Sequence, residues 1–289
     1  ACEKGGQWQQ ALLLLREVRT ANMELDAVTY SAGISACEKS RQWQQALALL
    51  SEMSDVRVEG NVVSHSAAVS ACEKGGQWQH ALSLLFEMIK LRVEPNTISY
   101  NSGIGACDRF GQWQQALRLF RDMTDTRVEL DLISYNTGIN SCGKGGQLQH
   151  ALSLLRQLRE SKMKPNLITY NAAVSSCEPS GHWQQALSLL RDLREATWNP
   201  DIVSYNAALR ACEKGGQWQL ALSLLRDKRR AQLPPDAVGY NAATSACEKR
   251  GEWQQALCLL GEMAETDVRR DIVSYGAGIS ACEKGGLCC

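Results

Sequence analysis

The stretch Asn206–Pro235, NAALRACEKGGQWQLALSLLRDKRRAQLPP, decides the reading of this chain, because near-copies of it run from one end to the other. Trp8, Trp43, Trp78, Trp113, Trp183, Trp218 and Trp253 share one register of 35 residues, and Leu148 fills the missing place. Cys2, Cys37, Cys72, Cys107, Cys142, Cys177, Cys212, Cys247 and Cys282 keep the same beat. A fixed period of roughly 20 to 50 residues marks a stacked-repeat architecture, in which each unit buries its apolar faces against its neighbours. The spacing predicts one array over residues 1–289, with complete repeats at 27–61, 62–96, 97–131, 132–166, 167–201, 202–236 and 237–271 and partial repeats at 1–26 and 272–289. The first partial repeat opens in mid-unit without Met, so a longer parent chain is expected.

Composition sets few further bounds. Lys plus Arg is 31 and Asp plus Glu is 31, so net charge points to no nucleic-acid or membrane partner. Nine cysteines in equivalent places inside an apolar pattern read as small buried side chains in a reducing compartment rather than as disulfides or metal ligands. No CxxC occurs, and Cys288-Cys289 lies too near the end for a prenylation box. No apolar run approaches membrane-spanning length.

Within repeat 167–201, Tyr170, Ala173, Val174 and Cys177 lie on one stripe of a first helix. Gly or Gly-Gly then follows in most repeats, as at Gly75-Gly76 and Gly215-Gly216, and supplies a residue tolerant of positive φ. Trp183, Ala186, Leu187, Leu189, Leu190 and Leu193 form the broad apolar face of a second helix. Pro95, Pro165, Pro200 and Pro235 are expected to stop that helix, and the Asn or Asp after each to start the next one. Each repeat is therefore a helical hairpin that must stack, and the fold class is all-α, an α-solenoid of helix-turn-helix repeats.

Two families build helical hairpins near this period. Tetratricopeptide repeats run at about 34 residues and bind peptides. The stretch IVSYNAALRACEKGGQWQLALSLLRDKRRAQLPPD, Ile202–Asp236, instead resembles the pentatricopeptide repeat family in its period, Tyr, Asn, Lys, Gly, Ala-Leu and Pro-Asp. The resemblance covers essentially the whole chain. It implies a right-handed superhelix and an organelle protein, of chloroplast or mitochondrion, that binds single-stranded RNA with one repeat reading one base.

By this resemblance the fifth and last residues of each repeat meet a base edge. The pairs are Ser31 with Asn61, Ser66 with Asn96, Asn101 with Asp131, Asn136 with Asn166, Asn171 with Asp201, Asn206 with Asp236, and Asn241 with Asp271. The family's code then implies A-A-U-C-U-U-U from 5′ to 3′, with U as the alternative at the fourth base. Ser leaves room for a purine, Asn carries a donor and an acceptor, and ionised Asp only accepts. The plain alternative is that Asn and Asp here are helix caps. Restriction to Ser or Asn at one place and Asn or Asp at the other, through all complete repeats, favours the reading role.

Two further rows follow from the resemblance. Val28, Val63, Ile98, Ile133, Ile168, Val203, Val238 and Val273 would sandwich bases, the alternative being apolar residues at a helix seam. Lys4, Lys39, Lys74, Arg109, Lys144, Lys214, Lys249 and Lys284 would face phosphates, the alternative being solvated lysines beside acidic neighbours. Pro179 interrupts this row and should also shorten its helix. His65 stands where other repeats have Tyr, and Gly276 offers the last partial repeat no reading side chain.

No catalytic site is expected. His65, His80, His150 and His182 occupy scattered places, and no His-x-Glu with a paired CxxC, clustered carboxylates or phosphate-cradling loop is present. No cofactor or metal is implied. Single-stranded RNA is the expected partner, with catalysis left to a further domain or to other RNA-processing proteins. The rival from another class is a peptide-binding scaffold of tetratricopeptide type.

Overall fold

The structure, a computed structural model, describes residues 8–21, 23 and 25–286. Among them are sixteen α-helices and no strand. In chain order they are α1 (Trp8–Thr20), α2 (Ala27–Lys39), α3 (Trp43–Asp55), α4 (Val62–Lys74), α5 (Trp78–Lys90), α6 (Thr97–Arg109), α7 (Trp113–Asp125) and α8 (Leu132–Lys144). There follow α9 (Leu148–Glu160), α10 (Leu167–Ser175), α11 (Trp183–Glu195), α12 (Ile202–Lys214), α13 (Trp218–Arg230), α14 (Ala237–Glu248), α15 (Trp253–Glu265) and α16 (Ile272–Lys284). The helices divide into two compact parts, Ala1–Ser141 and Cys142–Cys289.

In the first part, α2, α4 and α6 pack side by side as one layer, and α3 and α5 each contact the first helix of their own repeat and of the next. The second part repeats this plan, with α10, α12, α14 and α16 in one layer and α11, α13 and α15 behind them. Small side chains make the layer possible. Ala36, Cys37, Ala71, Cys72, Ala106 and Cys107 are fully buried, as are Ala211 and Cys212 in the second part. At Gly103 an added Cβ would come within 2.5 Å of Leu85 Cδ1, so the Leu85 methyl closes directly over the helix, while the buried Ala68, Ala173, Ala208 and Ala243 fill the same place in other repeats. The second helices contribute larger groups: Leu84, Leu85 and Met88, or Leu189, Leu190 and Leu193. Each such side chain contributes on the order of 1.5–3 kcal/mol on burial.

The recurrent cysteines are free thiols, buried from Cys37 through Cys247. Burial pushes the thiols up to about 11 at Cys37 and Cys212 and to about 12 at Cys142 and Cys177. They are packing residues, poorly ionised and inert. Cys2 and the pair Cys288-Cys289 lie outside the described residues.

The two turns of each hairpin use left-handed backbone. After the first helix it falls on the second glycine, with φ of 75° at Gly76 and 63° at Gly216, and Gln77 N–H donates back to Cys72 O at 2.8 Å. In repeat 27–61 the non-glycine Arg41 takes this place at φ 58°. The end of the second helix differs from the expectation. It is set by Arg57, Arg92, Arg127, Lys162, Thr197, Gln232 and Asp267, all at positive φ, and not by proline. Helix α5 ends at Lys90, well before Pro95. Helix α3 ends at the equivalent Asp55 in a repeat without that proline. The turn ends the helix, and proline only stiffens the extended segment behind it.

Candidate nucleic-acid interface

The last residue of each repeat begins the first helix of the next. Asn61, Asn96, Asn166, Asp201, Asp236 and Asp271 are extended N-cap residues whose side chains accept the N–H three residues on. Five of the six complete a capping box with Ser64, Ser99, Thr169, Ser204 or Ser274; repeat 237–271 has Gly239 at that place. The capping role is therefore real. It does not exclude the other role, because one side-chain oxygen suffices for the cap.

Five of these six, all but Asn166, meet the fifth residue of the preceding first helix, and so does Asp131. Ser31 Oγ lies 3.5 Å from Asn61 Oδ1, and Ser66 Oγ donates to Asn96 Oδ1 at 3.3 Å. Asn101 Nδ2 donates to Asp131 at 3.0 Å, Asn206 Nδ2 to Asp236 at 2.9 Å, and Asn241 Nδ2 to Asp271 at 3.2 and 3.3 Å. Asn171 Nδ2 reaches both oxygens of Asp201, at 3.2 and 3.1 Å. The members of the remaining pair lie in different parts, Asn136 on α8 and Asn166 at the start of α10. Burial raises the Asp131 carboxyl, but the Ser134 and Asn101 hydrogen bonds outweigh it and hold it below its ordinary range. At Asp271 the Ser274 N–H and hydroxyl do the same. These are charged acceptors at neutral pH. The replacement of Tyr by His65 leaves Ser66 in place: the imidazole is buried, with Nδ1 3.1 Å from Asn61 O.

The second residue of each repeat is on the surface. Val28, Val63, Ile98, Ile133, Ile168, Val203, Val238 and Val273 are between 40% and 72% exposed, so they do not fill a helix seam. An apolar side chain exposed at the same place in every repeat fits a surface that is covered in use. In the first part a cleft of about 440 Å³ gathers Ile98, Asn101, Asp131 and Ile133 with Arg109. The second residues of two repeats, one fifth-and-last pair, Arg109 and the carboxylates Glu73 and Asp108 thus line a single cavity.

The cationic row is more compensated than its sequence implies. Lys74 pairs with Glu38 at 2.8 Å, Arg109 with Glu73 at 3.7 Å, Lys249 with Glu213 at 3.8 Å and Lys284 with Glu248 at 2.8 Å. Each cation reaches back to the glutamate of the preceding repeat, not to the one beside it in sequence. Burial raises the Glu73 and Glu213 carboxyls, with Arg109 and Lys249 pulling them down. At Glu248 burial also raises the carboxyl, but hydrogen bonds from Lys284 and Ser280 prevail and lower it. Lys39, Lys144 and Lys214 occupy the same place on α2, α8 and α12, and Lys4 lies outside the described residues. At Pro179 the row is broken, and α10 has 9 residues where the other complete first helices have 12 or 13. Among the described residues no group of His, Cys, Asp and Glu could hold a metal ion, and no helix is long and apolar enough to cross a membrane.

Stacked 35-residue helical hairpins, with a polar pair and an exposed aliphatic residue repeated along the first helices, define a modular helical-repeat protein. The pentatricopeptide repeat domain model matches residues 13–75, 61–109, 118–178 and 188–250, and the PPR repeat model matches 168–196 and 238–268. The chain belongs to the pentatricopeptide repeat family.

Solved structures agree on the fold. The pentatricopeptide repeat protein PPR10 from maize is 22% identical with a TM-score of 0.57, covering 99% of this chain and 46% of its own. This chain thus spans about half the length of the maize protein. The PPR domain of Arabidopsis thaliana protein-only RNase P 1, in complex with tRNA, is 16% identical with a TM-score of 0.53, covering 59% of this chain and 90% of its own. The nuclear protein-only RNase P 2 of Arabidopsis thaliana is 14% identical with a TM-score of 0.54, covering 61% and 40%. No curated protein sequence matches the chain.

Proposed function

We propose that this chain binds single-stranded RNA, one base per repeat, and so guides RNA processing, stability, translation or editing in an organelle. The observation that carries the reading is the cleft lined by Ile98, Ile133, Asn101, Asp131 and Arg109. Its aliphatic walls suit the two faces of a base, its polar pair suits the base edge, and its cation suits the adjoining phosphate. The Arabidopsis PPR domain that is in complex with tRNA supports the ligand class. With the amino terminus at the 5′ end, the preferred strand is A-A-U-C-U-U-U, or U at the fourth base. Catalysis belongs to other domains or to other RNA-processing proteins, as the chain's own residues offer binding groups alone.

Fluorescence anisotropy with labelled A-A-U-C-U-U-U tests this, using Ser66→Asn/Asn96→Asp protein beside the parent. The double variant is expected to move its preference at the second base from A to U. Equal affinity of both proteins for all strands would reduce the surface to a generic clamp. Absence of RNA binding by folded protein would favour a peptide scaffold. Affinity should also fall as salt rises, because phosphate contacts release counterions.

A further inference from the structure

Repeat 202–236 carries the same reading letters as its neighbours, Asn206 and Asp236, but is built differently beneath them. The place on the second helix that is filled by Met53, Met88, Met123, Leu158, Leu193 and Met263, each 0% exposed, holds Lys228, itself 3% exposed. Its ammonium does not escape to solvent. Lys228 Nζ donates to Asn206 Oδ1 at 3.1 Å and to Asp236 Oδ2 at 2.8 Å.

A second departure sits opposite. The third residue of the first helix is Thr29, Ser64, Ser99, Ser134, Thr169, Ser204 or Ser274 elsewhere, and Gly239 here. In the flanking repeats that hydroxyl does a specific job: Ser204 Oγ donates to Asn171 Oδ1, and Ser274 Oγ to Asn241 Oδ1 at 2.6 Å. Gly239 cannot, and a Cβ there would lie 3.2 Å from Asn206 Oδ1, the space a hydroxyl-bearing side chain would enter. Lys228 supplies the missing donor from the other side.

Resting on the one-base-per-repeat reading, we infer that Lys228 is a further specificity-determining residue, which turns the Asn206–Asp236 pair from a uracil reader into one that accepts cytosine. The argument is a count of lone pairs. Asp201 Oδ2 and Asp271 Oδ2 each accept only from the partner asparagine, leaving capacity for a base N–H. Asp236 Oδ2 accepts from both Lys228 and Asn206, and Oδ1 from the Gly239 N–H at 2.7 Å. A carboxylate oxygen takes about two such bonds, so Oδ2 is filled and its charge compensated by a buried cation, while Oδ1 serves the cap. Asn206 Nδ2 keeps a second N–H beyond the one it gives to Asp236. Uracil presents N3–H, a donor, and cytosine presents N3, an acceptor. Both bases offer carbonyl acceptors, so the difference lies at N3: the filled, charge-compensated Oδ2 is a poor acceptor for the uracil N3–H, whereas cytosine N3 needs no acceptor and can take an N–H of Asn206.

The test is anisotropy titration with A-A-U-C-U-U-U and A-A-U-C-U-C-U, which differ at the sixth base. The proteins are the parent, Lys228→Met and Lys228→Met/Gly239→Ser, the last carrying the residue types of the neighbouring repeats. An added charged hydrogen bond is worth roughly tenfold, so the double variant should move the U-to-C affinity ratio about tenfold toward U. A control variant, Asn241→Ser/Asp271→Asn, is titrated against strands with U or A at the seventh base. If the control shifts to A while the sixth-base ratio stays fixed in both Lys228 variants, Lys228 has no part in reading and the inference is overturned. If the control also fails to shift, the one-base-per-repeat reading falls and this inference with it.

Discussion

Asn171 Nδ2 donates to both carboxylate oxygens of Asp201, at 3.2 and 3.1 Å, while Asp201 Oδ1 also caps α12 through the Ser204 N–H at 2.9 Å. One side chain thus starts a helix and presents a polar edge, and the two duties separate by mutation. Asp201→Ala should cost about 1 kcal/mol of stability through the lost cap. Asn171→Ala should leave stability within roughly 0.5 kcal/mol and weaken RNA binding at the fifth base. Urea unfolding beside anisotropy distinguishes them, and equal stability losses in the two variants would contradict the division of labour.

The exposed aliphatic row yields a second expectation. Ile98 and Ile133 are 60% and 61% exposed, so Ile98→Ala/Ile133→Ala protein should unfold at nearly the parent's midpoint. If the side chains sandwich a base, the same protein should lose on the order of 1 kcal/mol in RNA affinity. Unchanged affinity would return the row to being incidental.

The inter-repeat ion pairs make a third. Lys74, Arg109, Lys249 and Lys284 are each engaged by a glutamate of the repeat before. Such partly exposed pairs contribute no more than about 1 kcal/mol each. Glu38→Gln/Glu248→Gln should therefore cost little stability, release Lys74 and Lys284 toward phosphate, and steepen the salt dependence of RNA binding. An unaltered slope would show that these cations stay with the protein.

Arg41 is held at φ 58° where later repeats place glycine. Left-handed backbone costs a residue with a Cβ about 1–2 kcal/mol, so Arg41→Gly should stabilise by up to that amount, less the added entropy of the unfolded chain. A lowered thermal midpoint would mean that the Arg41 side chain contributes more than its backbone strain costs.

Carboxyl protonation sets the pH profile. Asp131, Asp236 and Asp271 are held below their ordinary value in the fold. Their contribution is fully present above about pH 4 and is lost as pH falls through the folded values. Glu73 and Glu213 act oppositely, since their raised values favour the fold at low pH and less so as pH rises through them. Asp131→Asn/Asp271→Asn protein keeps a capping oxygen, as Asn61 and Asn96 do. It should therefore lose stability less steeply than the parent below about pH 4. Parallel acid titrations by circular dichroism check this.

The sequence alone determined the repeat, its period, both helices, the burial of the cysteines and the shortening at Pro179. These follow from local patterns, in which apolar spacing, caps and breakers act within a few residues and recur in every copy. The family resemblance pointed to the fifth and last residues of each repeat, and six of those pairs touch in the structure, because a residue at a helix start and the cap of the next helix become neighbours once hairpins stack. Tertiary structure decided what depends on contacts between repeats. It set the second helix's end at a left-handed residue that no glycine announces, and paired Lys74, Arg109, Lys249 and Lys284 each with a glutamate 36 residues back, where adjacency in sequence pointed to the next-door one. It exposed the β-branched row, which composition fits to a seam equally well. Above all it turned Lys228 inward. A lysine near a helix end reads as a solvated charge. Only packing behind Asn206 and Asp236 gives its ammonium two acceptors to stay for.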